Sequence, residues 1–222
     1  MIDILYEDGE ALVIDKPAGL AIDPPRKGGP SLQEHLDSLR LGFKRLPLPV
    51  HRLDTDTSGC LLLARNPKAH KRFGQAFQDR LVGKTYLGIL DGEPPASEGT
   101  VDLPLGKVSS KERGWRMVHD RQGKPSVTHW RALDAKDGRT LVEFRPETGR
   151  THQIRIHALE GLGAALVGDP VYGRGHAIGA GRTMLHASAL RVEREGKPPI
   201  EASAPLPKDF ALIGFGEAAG DG

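Results

Sequence analysis

The stretch His51-Arg52-Leu53-Asp54-Thr55-Asp56-Thr57-Ser58-Gly59 carries the strongest signal for both fold and function in this chain of 222 residues. An arginine stands two residues before a carboxylate, turn-forming residues follow, and the apolar run Leu61-Leu62-Leu63 comes next. This order predicts that Asp54 lies on a loop just ahead of a buried strand, where a nearby guanidinium can hold the carboxylate ionised. A single loop aspartate more often makes a local turn bond, so other segments must support this interpretation.

Further segments with strand-like, turn-like and charged residues occur in order along the chain. They are Ile14-Asp15-Lys16-Pro17-Ala18-Gly19, Lys84-Thr85-Tyr86-Leu87, Gly123-Lys124-Pro125-Ser126-Val127-Thr128, Thr148-Gly149-Arg150-Thr151-His152-Gln153-Ile154-Arg155, Gly168-Asp169-Pro170-Val171-Tyr172-Gly173 and Leu185-His186-Ala187. Together with residues 51–59, these segments resemble the motifs of the RluA family of RNA pseudouridine synthases, over roughly residues 5–205. Asp54 stands at the position of that family's essential aspartate.

The resemblance implies an enzyme that converts uridine to pseudouridine in ribosomal or transfer RNA, with Asp54 as the catalytic carboxylate on a flipped-out uridine. Asp54 would attack the ribose or the pyrimidine ring, or assist loss of a ribose proton, and these routes stay open. The implied fold is mixed α/β (α+β), with a large, mostly antiparallel sheet in two halves that flank a catalytic cleft, and a few surface helices. We expect one catalytic domain over residues 1–222, of the short stand-alone type without an N-terminal S4 domain.

The resemblance also assigns the other site residues. Tyr86 and Arg155 complete the catalytic set, with Tyr86 stacking on the target uracil. Arg155 and Arg52, which shares a face with Asp54 in an extended segment, compete for the ion pair with Asp54, and we favour Arg155. The residues expected to bind substrate are Arg52, His51, Arg150, Ile154 and Leu185, of which Arg52 grips the RNA backbone. Taken alone, a strand tyrosine is more often a core residue, and Arg155 could instead cover a helix end.

Composition sets the class of protein. Apolar residues make up 38% and charged residues 27%, as in ordinary globular proteins. Residues 37–84 carry ten Lys/Arg against four Asp/Glu, and residues 105–131 carry seven against two, as a one-sided phosphate-binding surface requires. The first residues are acidic, no apolar run reaches the length of a membrane span, and the single Cys60 sits among leucines. We expect a cytoplasmic protein with a buried, inert thiol.

Residue patterns predict the elements. A capping box at Ser31-Leu32-Gln33-Glu34 opens a helix with Leu32, Leu36 and Leu39 on one face. A second helix starts at Asn66-Pro67 and ends near Gly83. Thr151 caps a third, short helix that ends at Gly161, and residues 214–222 form a frayed tail. The predicted strands are 12–15, 61–65, 86–90, 127–133, 140–145 and 185–192, with Asp137-Gly138 turning between two antiparallel neighbours.

Two rival functions remain at this point. Asp54-Thr55-Asp56-Thr57 matches the nucleophile loop of haloacid-dehalogenase-type phosphatases, but that loop should follow a buried apolar strand and would require magnesium. A non-catalytic RNA-binding protein would explain the basic segments alone. His152 and His157 are five residues apart, so they face different ways on a helix or a strand and suit no shared metal. We expect no cofactor and no metal, RNA as the partner, no membrane, no obligatory protein partner and a monomer.

Overall fold

The computed structural model describes residues 2–25, 28–110, 114–178 and 180–216. The strands of these residues are β1 (Ile4–Glu7), β2 (Ala11–Lys16), β3 (Leu48–Pro49), β4 (Ser58–Ala64), β5 (Val82–Leu90), β6 (Glu98–Asp102), β7 (Leu105–Ser110), β8 (Gly114–His119), β9 (Val127–Lys136), β10 (Arg139–Pro146), β11 (Leu185–Val192) and β12 (Ile200–Ser203). The helices are α1 (Pro67–Gln78), α2 (Gln153–Ile156) and α3 (Lys208–Leu212). Along the described ranges, no helix has the length and apolar content needed to cross a membrane.

The chain divides into two compact units. Unit 1 comprises Met1–Lys84 and His186–Pro205, and unit 2 comprises Thr85–Leu185 and Leu206–Gly222. Strands pair mostly antiparallel in both units, and helices are few. The predicted mixed α/β class with a large, mostly antiparallel sheet is therefore confirmed. The catalytic cleft and the single domain over residues 1–222 stay predictions.

Unit 1 is organised around two central strands. All seven residues of β4 are buried, and β2 is almost entirely buried, because other elements cover both strands on both faces. β4 pairs antiparallel with β2 and β3, and parallel with β11. The predicted strand at 61–65 therefore begins earlier, at Ser58. Cys60 on β4 is buried as expected, and burial raises the pKa of its thiol to about 12.

Helix α1 covers this core of unit 1. Its N-terminus is capped as predicted, since the side chain of Asn66 accepts a hydrogen bond from the backbone N–H of Ala69 at 2.9 Å. Ala69 and Phe73 are its buried residues. The predicted end near Gly83 is wrong. Arg80 takes the left-handed conformation, with φ at 61°, so the helix closes after Gln78 and Gly83 belongs to β5.

The helix predicted from Ser31 is also wrong in type. The structure has two short 3₁₀ turns, Leu32–His35 and Ser38–Arg40. The hydroxyl of Ser38 donates to the carbonyl of His35 at 2.8 Å, and this bond occupies an acceptor that a continuing helix would use. Leu32, Leu36 and Leu39 are nevertheless buried, as the apolar spacing predicted.

Unit 2 has a four-stranded antiparallel sheet in the order β5-β10-β9-β6. Asp137 and Gly138 both have positive φ, 53° and 71°, which is the geometry of a type I′ hairpin turn between β9 and β10. The predicted antiparallel pairing of these strands is thus confirmed. β7 and β8 form a separate two-stranded hairpin.

The last described residues of unit 2 pack against its core. Phe210 and Phe215 are buried in one apolar cluster with Ile89 and Met184. The backbone N–H of Phe215 donates to the carbonyl of Phe210 at 3.0 Å. The chain is therefore packed as far as Phe215, beyond the predicted start of the tail at residue 214. The remainder of the predicted tail, residues 217–222, lies outside the described residues.

Candidate active site

Asp54 lies on a tight turn that leads directly into β4. The backbone N–H of Thr57 donates to the carbonyl of Asp54 at 3.1 Å, which closes the turn. Asp54 is half-buried and Thr57 is buried. The predicted position of Asp54, on a loop ahead of a buried strand, is confirmed.

Gly59 lets two strands of unit 1 approach closely beside this turn. Its φ is 105°, and a Cβ there would overlap the backbone carbonyl of Ala187 on β11. One residue earlier, Ser58 Oγ lies 2.9 Å from His186 Nδ1, and His186 Nε2 lies 3.4 Å from the carbonyl of Ala204. A carbonyl only accepts, so Nε2 carries the hydrogen and Nδ1 accepts from the Ser58 hydroxyl. These contacts fix where the turn ends.

A buried lysine fixes the other side of the turn. Lys16 is fully buried, and its ammonium donates to the carbonyls of Pro17, Leu20 and Thr55 at 2.8, 2.9 and 3.0 Å. The Thr55 carbonyl also accepts from the backbone N–H of Gly19 at 2.9 Å. Three carbonyl oxygens satisfy a charge that would be very costly to bury alone. Lys16 therefore ties the Lys-Pro-x-Gly segment to the residue next to Asp54.

His51 and Arg52 precede the turn and differ in their surroundings. The His51 ring stacks on Phe77, with centroids 4.5 Å apart, and its Nε2 accepts from the backbone N–H of Leu62 at 3.0 Å. Burial, and next the positive charge of Lys84, lowers the pKa of His51 to about 3, so the ring is neutral near pH 7. Arg52 is exposed, in an ion pair of 3.3 Å with the exposed Asp23. RNA contacts by both residues stay predictions.

In unit 2, three predicted site residues belong to one apolar cluster. Ile154 and Leu185 are buried in it, and the partly buried Tyr86 packs against it. Tyr86 lies on β5 opposite Phe144 of β10. Gly88, two residues along the same strand, leaves room for Leu166 and Phe144 of this cluster, whose Cδ2 and Cε2 would lie 2.9 and 3.1 Å from a Cβ at that position. The sheet thus gathers the aromatic and apolar residues proposed to hold a base.

Arg155 lies on α2 and pairs with a buried carboxylate. Its Nε and Nη2 donate to Oδ2 and Oδ1 of Asp169 at 2.6 and 2.7 Å. Asp169 is fully buried and also accepts from the backbone N–H groups of Val171 and Tyr172. Burial would raise the pKa of Asp169, but the hydrogen bonds and charge of Arg155 outweigh burial and lower it. The predicted pair between Arg155 and Asp54 joins residues of different units and stays a prediction.

The segment before α2 is built by a buried glutamine. Gln153 Oε1 accepts from the Thr148 hydroxyl at 2.7 Å and from the backbone N–H of Arg150 at 3.0 Å. Its Nε2 donates to the Val127 carbonyl and to Thr128 Oγ1, each at 2.9 Å. This network positions the backbone of Arg150 at the start of the segment. The Nε of Arg150 donates to the Pro125 carbonyl. Substrate binding by Arg150 stays a prediction.

The predicted cap of this helix is wrong. His152, in the left-handed conformation with φ at 55°, holds the N-cap position instead of Thr151. The chain then continues through a π-helical turn, His157–Gly161. The two histidines contact different groups: His152 Nδ1 meets the Tyr172 hydroxyl, and His157 Nδ1 meets Thr128 Oγ1. Within residues 2–25, 28–110, 114–178 and 180–216, no group of three or more His, Cys, Asp or Glu could hold a metal ion.

Lys16, Gln153 and Asp169 lie in the motifs quoted above, but the sequence assigned them no role. One feature of the sequence could have identified Lys16. It stands at the end of a run of apolar strand residues, and charged residues are rarely buried without partners. For Asp169 and Gln153 the partners are set by turns that the sequence does not specify.

Unit 1 carries the aspartate loop and unit 2 carries the apolar cluster with Tyr86 and the buried Arg155. Comparison with known proteins gives the family of this chain. The model for RNA pseudouridylate synthases matches residues 10–160. An uncharacterized RNA pseudouridine synthase of Zymomonas mobilis is 56% identical over 96% of this chain and 97% of its own length. Ribosomal large subunit pseudouridine synthase D of the same organism is 35% identical, over 96% of this chain and 71% of its own.

A solved structure agrees. Human RNA pseudouridylate synthase domain containing 1 has a TM-score of 0.79 and 33% identity, over 96% of this chain and 86% of that chain. This chain belongs to the RNA pseudouridylate synthase family, and the resemblance to RluA-type enzymes is confirmed. It is an RNA pseudouridine synthase, an isomerase that acts on RNA.

Proposed function

We propose that this enzyme isomerises specific uridines in ribosomal or transfer RNA, with Asp54 as the catalytic carboxylate on a flipped-out uridine. The reaction breaks the bond between C1′ of ribose and N1 of uracil, turns the base, and forms a bond between C1′ and C5. The hydrogen on C5 must then leave. The name of the Zymomonas mobilis relative, a ribosomal large subunit enzyme, supports a ribosomal substrate.

The observation that carries the proposal is the doubly held Thr55 carbonyl. Lys16 and the backbone of Gly19 both donate to it, so the residue next to Asp54 has a fixed position. A catalytic group held by its own backbone needs little reorganisation during the reaction. Acting as a nucleophile or as a base, Asp54 must be ionised, and the proposed role of Arg155 is to stabilise that charge.

Unit 2 supplies the proposed contacts to the base. Stacking by Tyr86 would replace the neighbours that the uracil loses when it leaves the RNA helix. Leu185 and Ile154 would form an apolar floor that retains the free uracil between bond cleavage and bond formation. Arg155 donates Nε and one Nη2 hydrogen to Asp169, which fixes the orientation of the guanidinium.

The rival functions fit less well. A phosphatase nucleophile loop follows a buried strand, whereas the Asp54 loop precedes β4. A protein that only bound RNA would require neither the fixed turn at Asp54 nor the buried Arg155. We also propose a cytoplasmic, monomeric enzyme without an obligatory protein partner; the buried, unpaired thiol of Cys60 supports a reducing compartment.

The decisive test is tritium release from RNA labelled at C5 of uridine, taken from a strain that lacks the enzyme. We expect Asp54→Asn to reduce release to background, because the amide is nearly isosteric but cannot act as an anionic nucleophile or base. RNA binding and thermal unfolding should stay close to wild type.

Asp56→Asn is the matched control, two residues along the same loop. It should keep most of the activity, whereas a phosphatase would need Asp56. Release of tritium by Asp54→Asn together with an inactive Asp56→Asn would show that the catalytic carboxylate is wrongly assigned. Mapping pseudouridines in the deletion strain and its parent identifies the RNA and the position.

A further inference from the structure

Trp115 on the β7–β8 hairpin is an unusually exposed tryptophan. It is 49% exposed, whereas Trp130, the other tryptophan of this chain, is 7% exposed. Tryptophan is enriched in the parts of a protein surface that bind partners. The chemistry around the ring indicates what it binds.

The Trp115 ring packs against His152. It stacks on His152, with centroids 5.3 Å apart and planes 25° apart. His152 in turn meets the edge of Tyr172 at 5.6 Å. The Tyr172 hydroxyl accepts from the backbone N–H of Met117 at 3.1 Å and lies 2.9 Å from His152 Nδ1. The ring is therefore already ordered before any ligand binds, which lowers the entropic cost of binding.

These rings form a path to the candidate catalytic arginine. The Arg155 guanidinium lies 5.0 Å from the centroid of Tyr172. A chain of contacts thus leads from the surface of unit 2 to its buried ion pair, through Trp115, His152, Tyr172 and Arg155. A ligand on Trp115 would therefore lie at the surface end of this chain of contacts, which leads to Arg155.

A cation accompanies the exposed ring. Lys107 Nζ, on the facing strand, lies over the ring at 5.0 Å from the Trp115 centroid. An aromatic face beside a cation suits the two chemical parts of a nucleotide, a flat base and a phosphate. A lysine alone would suit any polyanion, and an aromatic ring alone would suit many apolar partners.

We propose that Trp115, supported by His152, is a stacking platform for an unpaired base of the RNA substrate, adjacent to the uridine that reacts. The proposal rests on the function proposed above and extends it to a second nucleotide. Extrusion of the target uridine leaves its neighbours with fewer stacking partners, and an aromatic platform restores one of them. Stacking does not depend on base identity, so the platform contributes affinity and register but little sequence preference.

Binding of a single-stranded RNA of about 12 nucleotides, and of an abasic chain of the same length, tests the proposal. Trp115→Ala should weaken binding of the base-bearing RNA about 10- to 100-fold, and Trp115→Phe should retain most of the affinity. Neither change should affect the abasic chain, which keeps the phosphates but has nothing to stack. Lys107→Gln should weaken both RNAs equally. Equal losses on both RNAs for Trp115→Ala, or no loss, would overturn the proposal.

Fluorescence provides an independent readout if Trp115→Ala fails to fold. In a Trp130→Phe protein, Trp115 is the only tryptophan, and the base-bearing RNA should quench it while the abasic chain does not. Unchanged emission with saturating base-bearing RNA contradicts the platform. Tritium release is measured separately: Trp115→Ala should raise the KM for RNA and leave kcat near wild type. A wild-type protein without tritium release would defeat the proposed function and leave the two binding results intact.

Discussion

The loop of Asp54 and the helical segment of Arg155 are both positioned by a buried charged residue from another motif, but by different means. Lys16 donates to backbone carbonyls, including that of Thr55, so it fixes the course of the chain around Asp54. Asp169 accepts from the side chain of Arg155, so it fixes the direction of one guanidinium. Loss of Lys16 should therefore lower the stability of the protein, whereas loss of Asp169 should mainly disturb the orientation of the Arg155 guanidinium.

Lys16→Met should give the largest effect on stability. The change removes a buried ammonium group together with its hydrogen bonds. The carbonyls of Pro17, Leu20 and Thr55 then lack this donor. We expect the free energy of unfolding to fall by about 3–5 kcal/mol, measured by chemical denaturation. Lys68→Met, at an exposed position of α1, is the control and should change it by less than about 0.5 kcal/mol. Normal stability in Lys16→Met with low turnover would mean that Lys16 acts in catalysis and not as a backbone anchor.

Asp169→Asn should mainly lower turnover. The amide can still accept from the backbone of Val171 and Tyr172 but no longer offers Arg155 a charged, bidentate partner. We expect kcat to fall about 10- to 100-fold, with the KM for RNA changed less than about threefold. Asp91→Asn removes the carboxylate of an ion pair with the exposed Arg174 in the same unit, and should leave kcat unchanged.

A double-mutant cycle separates positioning from packing. If Asp169 acts through Arg155, then Asp169→Asn should add little to the loss already caused by Arg155→Lys. Independent, additive losses in kcat would show that Asp169 does not act through the guanidinium, and the contrast between the two anchors would fail.

The sequence predicted the position of Asp54 on its loop better than the contacts that hold this loop. Asp54 before a buried strand and the hairpin at Asp137-Gly138 follow from local patterns, since turn residues and apolar runs act over a few positions. Lys16 and Thr55 are 39 residues apart, and their bond depends on how β2 and β4 pair. No local pattern contains that information.

The errors in helix type, length and capping have both local and long-range causes. The turn at Ser38 and the end of α1 at Arg80 depend on a side-chain hydrogen bond and on a left-handed arginine, and neither residue is typical of that position. His152 as the N-cap depends on Gln153, whose four hydrogen bonds come from segments up to 26 residues away. Tertiary contacts therefore decided the cap at His152, whereas local backbone geometry that the residue types do not predict decided the other two details.

His51 is a third anchor, and a neutral one, so it should impose a pH dependence of its own. Its pKa is about 3 in the folded protein, below the ordinary value of 6.5, so the unfolded chain binds a proton between these values and the folded chain does not. The stability that this neutral ring provides is thus present above about pH 6.5 and is lost as pH falls toward 3. We expect a loss of about 1–2 kcal/mol between pH 7 and pH 5.

His51→Gln should remove this part of the pH dependence. The glutamine oxygen can still accept from the backbone N–H of Leu62 but does not titrate in this range. The free energy of unfolding of the wild type and of His51→Gln, measured from pH 7 to about 4.5, gives the contribution of His51. The folded protein keeps Asp169 ionised in this window, because the pKa of Asp169 is lowered. Parallel curves for the two proteins would show that His51 is charged in the fold or does not support the loop.

The smallest effect concerns two neighbouring cations on the surface of α1, Arg72 and Lys71. A carboxylate pairs with Arg72, as Asp169 does with Arg155, but none pairs with Lys71 among the described residues. Arg72 pairs with Glu10 at 2.8 Å, and its hydrogen bonds, followed by those of Lys197, lower the pKa of Glu10 to about 2. Lys71 is exposed. RNA phosphates must compete with Glu10 for Arg72 but not for Lys71.

Lys71→Gln should therefore reduce the slope of log affinity against log salt by about one phosphate's worth, whereas Arg72→Gln should reduce it by clearly less. Both changes remove one positive charge from adjacent positions of one helix, so a difference between them reports the ion pair and not the net charge. Turnover at saturating RNA should stay near wild type in both variants. Equal slopes for the two variants would mean that Arg72 leaves Glu10 for the RNA, and unchanged slopes would place the RNA on another surface.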